Sequence, residues 1–257
     1  MISTKKINVN LANYILFSKR YIIYISDKFG REYDNYTGEL LFKGEYLNGE
    51  RDGRGIEYYK GEYNEIKFIG EYKKGKRNGK GKEYHKEGGL LFEGEYLNGE
   101  KNGKGKEYNN DNNELIFEGE YLNNFRKKGK QYFKGRLEYD GEYLFNKKWN
   151  GKGYDENGNV IYELKNGTGK VKEYDSYNGI LKFEGEYLNG KRHGKGKEYD
   201  YYGTLEFEGE YLNGKRHGWA KEYYSDGRLK FERKYFFGGF DTKNEIINFF
   251  NHILNFD

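Results

Sequence analysis

A chain of 257 residues that is only 35% hydrophobic and 34% charged cannot fill a thick globular core. Most of its apolar material is 29 Tyr and 18 Phe, which suit one face of a sheet. The 46 basic and 42 acidic residues leave a net charge of +4, a mixed surface without the basic stripe of a nucleic-acid-binding domain; the absence of Cys excludes disulfides and thiolate chemistry.

Residues 1–30 read as an atypical first hairpin. Tyr14 and Leu16, then Tyr21, Ile23 and Ile25, have strand composition, and Ser18-Lys19-Arg20 can turn one strand into the next. An end unit of a repeat array lacks a neighbour on one side, so a more apolar capping hairpin is expected here, with a binding role for its apolar patch as the alternative. The run Tyr21–Ile25 is too short to span a bilayer, and no early segment has the pattern of a secretory signal. A cytoplasmic protein is expected, with a position peripheral to membrane or cytoskeleton left open.

From 31 to 237 one unit recurs. Its clearest copy is Leu91–Tyr108, LFEGEYLNGEKNGKGKEY. The glycine of the Phe-x-Gly-Glu-Tyr core falls at Gly44, Gly70, Gly94, Gly119, Gly141, Gly185 and Gly209, a period of 22 to 26 residues where consecutive copies are clear. Residues on either side of Asn98-Gly99 alternate at the strand period, and Asn-Gly tolerates the positive φ of a tight reversal, so each unit is predicted to be a β-hairpin. Pairing Tyr96 with Gly103 and Gly94 with Gly105 puts Phe92, Tyr96 and the glycines on one face. The other face then pairs Glu95 with Lys104 and Glu93 with Lys106, as well as Glu71 with Lys80, Glu186 with Lys195 and Glu184 with Lys197. A tighter loop at Asn98-Gly99 shifts these partners by two residues and keeps the faces.

The centre is less regular. Lys127 stands at the first Gly place of its unit, Tyr162-Glu163-Leu164 replaces the aromatic-glycine core, and Val171 and Ala220 replace second glycines. The 44 residues from Gly141 to Gly185 equal two periods of 22, so a continuous array with shorter hairpins is expected. Over 238–257 the period changes. Thr242 and Glu245 form a capping-box pattern, and Ile246, Phe249, Phe250 and Ile253 share one side of a short helix, which either caps the last hairpin or docks a partner.

The recurring G-E-Y…N-G-x-x-x-G-x-G-K-x-Y pattern resembles the MORN repeat family. Its aromatic, glycine, aromatic and later G-x-G positions are matched by Phe92, Gly94, Tyr96, Gly103 and Gly105, and again from Phe68 and from Phe183. The resemblance implies an all-β fold: an elongated single-layer antiparallel sheet of stacked β-hairpins, here with the short C-terminal helix. Members of that family include scaffolds, membrane-junction proteins and noncatalytic parts of enzymes.

The chain offers no catalytic, cofactor-binding or metal constellation. Gly103-Lys104-Gly105-Lys106 lies inside a predicted strand, where its amides belong to the ladder and not to a phosphate. His193 and His217 occupy equivalent places in neighbouring hairpins, so their backbones stand about 10 Å apart, and both are expected on a loop surface. The expected function is a noncatalytic scaffold that binds a protein or peptide, or a second copy of itself, and no nucleic acid. The candidate contact residues are Phe68, Tyr72, Phe92, Tyr96, Phe183, Tyr187, Phe207 and Tyr211, unless self-stacking over glycine hides them. The alternative is binding to anionic membrane lipids through Lys76, Arg77, Lys101, Lys191, Arg192, Lys215 and Arg216 at the hairpin ends.

Overall fold

A computed structural model describes residues 13–17, 21–61, 64–175 and 178–240, and the chain divides into two units, Met1–Gly135 and Arg136–Asp257. In the first, the strands are β1 (Asn13–Phe17), β2 (Tyr21–Ser26), β3 (Phe29–Asp34), β4 (Leu40–Leu47), β5 (Glu50–Tyr58) and β6 (Ile66–Lys73). They continue as β7 (Lys76–Tyr84), β8 (Leu90–Leu97), β9 (Glu100–Tyr108), β10 (Leu115–Leu122) and β11 (Phe125–Phe133). Each pairs antiparallel with the next, so the sheet order is the chain order.

The second unit holds β12 (Arg136–Leu144), β13 (Lys147–Tyr154) and β14 (Val160–Leu164), which pair consecutively. It continues as β15 (Gly169–Tyr174), β16 (Leu181–Leu188), β17 (Lys191–Tyr199), β18 (Leu205–Leu212), β19 (Lys215–Tyr223), β20 (Leu229–Phe236) and β21 (Gly239–Phe240), again paired in chain order. Between β14 and β15 the ladder narrows to the single bridge Lys165–Thr168.

No helix occurs among the described residues. Gly238 stands at a turn and Gly239–Phe240 pair with β20. The expected capping box and apolar stripe of 241–257 lie outside the described residues, as does the expected turn at Ser18-Lys19-Arg20.

The hairpin register corrects one expectation. Asn98 and Gly99 take φ of 54° and 95°, a two-residue turn that puts Leu97 opposite Glu100 and Tyr96 opposite Lys101, not Gly103. Two strand positions further on, Gly94 faces Gly105 and Glu93 faces Lys106, as expected. Both registers hold because β9 carries two extra residues in a bulge at Gly103, whose φ of 98° suits glycine. The Glu95 carboxylate fills the space a side chain at Gly103 would need, and accepts the Lys104 N–H at 2.9 Å.

Glu71 and Glu186 occupy the same bulge pocket beside Gly79 and Gly194, so they do not pair with Lys80 and Lys195. Those lysines face Glu95 and Glu210 of the following hairpins. The polar-face ion pairs accordingly run between hairpins, with Lys82–Glu93 at 3.0 Å and Lys197–Glu208 at 3.8 Å. Where Lys127 replaces the bulge glycine, the excess shrinks to one residue, since β10 passes directly from Tyr121–Arg126 to Glu120–Lys128. Successive turns also bond to one another. The Gly99 N–H donates to the Arg77 carbonyl at 2.8 Å, and the Gly214 N–H to the Arg192 carbonyl at 2.8 Å.

Candidate interaction face

In each unit the two faces of the sheet differ in what they leave open. On one, Phe42, Phe68, Phe92, Phe117, Phe183 and Phe207 are fully buried without a second layer of structure. Each ring lies over glycine positions of its own and the adjacent strand; at Gly94 a Cβ would come within 2.7 Å of Phe92 Cζ. Within each unit tyrosines join these rings edge-on from hairpin to hairpin. Phe92 meets Tyr96 at 5.6 Å and Tyr121 at 5.1 Å between centroids, and Phe183 meets Tyr211 at 5.3 Å.

A cation then covers each phenylalanine. Arg77 stands over Phe68 at 4.1 Å, Lys101 over Phe92 at 4.2 Å, Arg192 over Phe183 at 4.0 Å and Arg216 over Phe207 at 4.0 Å. Glutamates from neighbouring strands hold the cations in place. Glu57 lies between Arg51 at 3.5 Å and Arg77 at 2.8 Å and accepts the Tyr72 hydroxyl at 2.7 Å. Burial pushes the Glu57 carboxyl up, but the hydrogen bond and charge of Arg77, the Tyr72 hydroxyl and the charge of Arg51 outweigh it and hold the group below the ordinary glutamate value.

This layering bears on both sets of expected contact residues. Phe68, Tyr72, Phe92, Tyr96, Phe183, Phe207 and Tyr211 are buried and Tyr187 is half-buried, so these rings form the core and do not offer open area to a partner. Arg77, Lys101, Arg192 and Arg216 are drawn inward over the rings and ion-paired to Glu57, Glu83, Glu173 and Glu198. Only Lys76, Lys191 and Lys215 of that set remain exposed at the turns.

The opposite face carries the open site. In the second unit a groove of about 710 Å³ runs across the strands and is lined by five lysines, five glutamates and Trp219. Register builds its floor: Lys172 faces Glu184, which faces Lys197, then Glu208, Lys221 and Glu232, one residue per strand. The sign of the charge therefore alternates at every strand. Trp219 lies on the same face two residues before Lys221, and 63% of its surface is exposed.

The family model of the MORN repeat matches residues 42–62, 68–89, 92–114, 183–201 and 207–227. These five segments are MORN repeats. Every matched segment begins on one of the fully buried phenylalanines, and the unmatched stretch between 114 and 183 holds the shortened bulge at Lys127 and the replaced glycine at Val171. No curated protein matches the chain.

The carboxylates recur in structural roles from hairpin to hairpin. Among the described residues no group of three or more His, Asp or Glu side chains stands together as metal ligands. No helix among them is long and apolar enough to cross a membrane. His193 and His217, expected on a loop surface, lie half-buried within β17 and β19. The His217 ring packs at 5.2 Å from Phe237. Sequence reasoning passed over Trp219, although a tryptophan beside Ala220 in the G-x-G position is a signal, because it projects from the face opposite the aromatic core.

Proposed function

We propose that this protein is a noncatalytic scaffold that holds a protein partner in the charged groove of its second unit. The observation that carries this reading is the groove itself, with balanced charge and an exposed Trp219, on a molecule whose aromatic face is closed by its own side chains. Exposed tryptophan is a strong anchor for protein contact, and interspersed charges of both signs set orientation. The alternative is the lipid reading, which now rests on Lys76, Lys191 and Lys215. A layer of anionic head groups would meet five glutamates in the groove as well as five lysines, which weakens attraction to that face.

The test places a photo-crosslinking residue at position 219 or position 191 of the full chain and exposes each to extract of the cells that make it. Adducts with a defined protein, or with a second copy of the chain, at position 219 support the scaffold. Binding to anionic vesicles with no protein adduct at position 219 transfers the function to the lysine-bearing turns.

A further inference from the structure

The geometry points to an α-helix as the occupant of this groove, one bearing Glu and Lys in alternation at three- and four-residue spacing along its contact face. The inference rests on the protein-scaffold reading and goes further by naming the shape and charge pattern of the partner.

The floor row Lys172–Glu184–Lys197–Glu208–Lys221–Glu232 advances one strand per residue, so opposite charges are about 4.8 Å apart and like charges about 9.6 Å apart. A helix lying across the strands rises about 1.5 Å per residue. Three residues cover about 4.5 Å and four cover about 6 Å, and seven cover about 10.5 Å, so a helix face with alternating charge sets a Glu near each Lys and a Lys near each Glu. An extended peptide presents same-side residues about 6.8 Å apart and loses register with the row after one or two pairs.

Apolar positions on the same face have the same repeat. Leu188 and Leu212 alternate with the phenylalanine-bearing positions of β16 and β18 and so share the face of Glu184 and Glu208. Each is the last residue before its turn, one per hairpin, again about 9.6 Å apart. Leu188 keeps 40% of its surface exposed. One apolar contact per seven helical residues beside a row of alternating charges is the pattern of an amphipathic, heptad-like helix. A second copy seated face to face is disfavoured, because two grooves cannot close on each other along their length. Phosphate-rich ligands are disfavoured because the lysines and glutamates are equal in number.

Two synthetic peptides of identical composition test this, each a helix with one Leu per seven residues. In one, Glu and Lys alternate at three- and four-residue spacing along the face beside the leucines; in the other they are permuted so that like charges take those spacings. Binding is read by the emission of Trp219 in full-length protein carrying Trp149→Phe, which leaves Trp219 as the only tryptophan. The alternating peptide is expected to bind at least about tenfold tighter than the permuted one and to weaken as salt is raised. The double variant Lys197→Glu, Glu208→Lys breaks the alternation by setting like charges opposite one another on the surface, and is expected to abolish the preference while the protein keeps its β-sheet circular dichroism at the assay temperature. Equal binding of the two peptides, binding of neither, or a preference that survives the double variant overturns the helix inference. If position 219 still crosslinks to a protein in extract, the scaffold reading stands without it; if it does not, both fall.

Discussion

Arg77 lies over the ring of Phe68, its guanidinium carbon 4.1 Å from the ring centroid, and bridges Glu57 and Glu83. A one-layer sheet has no opposing layer to bury its aromatics, and here the arginine stem and planar head take that role. Arg77→Ala uncovers Phe68 and leaves Glu57 short of its closest charge, and is expected to lower unfolding free energy by about 2 kcal/mol. Arg77→Lys should recover part of this, since Lys101 fills the same place over Phe92. A double-mutant cycle with Glu57→Gln in urea measures the coupling; additive losses would show that the pair is incidental.

Tyr96 is 4% exposed, whereas Tyr108 is half-buried on the other face and donates its hydroxyl to Glu93 at 2.7 Å. Tyr96→Ala is expected to cost about 3 kcal/mol, and Tyr108→Phe about 1 kcal/mol. Gly94→Val drives a side chain into the Lys104 carbonyl and the Gly105 Cα, at 2.6 and 2.7 Å from the position of its Cβ. Chemical denaturation should rank Gly94→Val and Tyr96→Ala together and well below Tyr108→Phe.

Acid should destabilise the protein through its paired glutamates. Glu93 is held below the ordinary value by the Tyr108 hydroxyl and Lys82, and Glu222 by Arg233 and the Tyr235 hydroxyl despite some desolvation. Glu57 is likewise depressed, with Arg77 overcoming burial. Groups whose pKa is lower folded than unfolded bind fewer protons in the native state, so their stabilisation is complete above the unfolded value of about 4.3 and is lost as pH falls through the folded values. The urea midpoint should fall between pH 5 and pH 3, each about the limit of that window. An unchanged midpoint would remove these carboxylates from the stability of the fold.

Alkali acts with the opposite sign. Burial and the hydrogen bond to Glu93 push the Tyr108 phenol up to about 12, and burial and Glu184 do the same for Tyr199. Burial also raises the core tyrosines Tyr72 and Tyr96. A group whose folded pKa is raised stabilises the native state fully below its unfolded value, about 10 for tyrosine, and loses that contribution as pH rises through the folded value. Spectrophotometric titration of phenolate absorbance should therefore resolve a late class, Tyr108, Tyr199 and the core tyrosines, whose ionisation coincides with loss of β-sheet circular dichroism. One single transition near pH 10 would contradict the burial of the tyrosine row.

The faces of the hairpins were legible in the sequence because strand side chains alternate strictly. Phe92, Gly94 and Tyr96 had to share a side in either register, and Asn98-Gly99 announced its turn by backbone preference alone. These are local properties, set by residues within a few positions of one another. Which partner each residue meets is not local. The bulge at Gly103 let the tight turn and the glycine pairing coexist, and it turned Glu95, Glu71 and Glu186 from expected ion-pair partners into groups that fill the bulge.

Stacking decided the rest. Arg77, Lys101, Arg192 and Arg216 follow the turns in sequence and read as free hairpin-end charges, yet each lies over the phenylalanine of its own hairpin and is held there by a glutamate of the preceding one. That arrangement closes the aromatic face and leaves the Lys–Glu rows and Trp219 on the other. Period and composition determined that this chain builds a one-sided aromatic sheet. Only the tertiary structure decided which side remains open, because burial depends on what the neighbouring hairpin sets beside each ring.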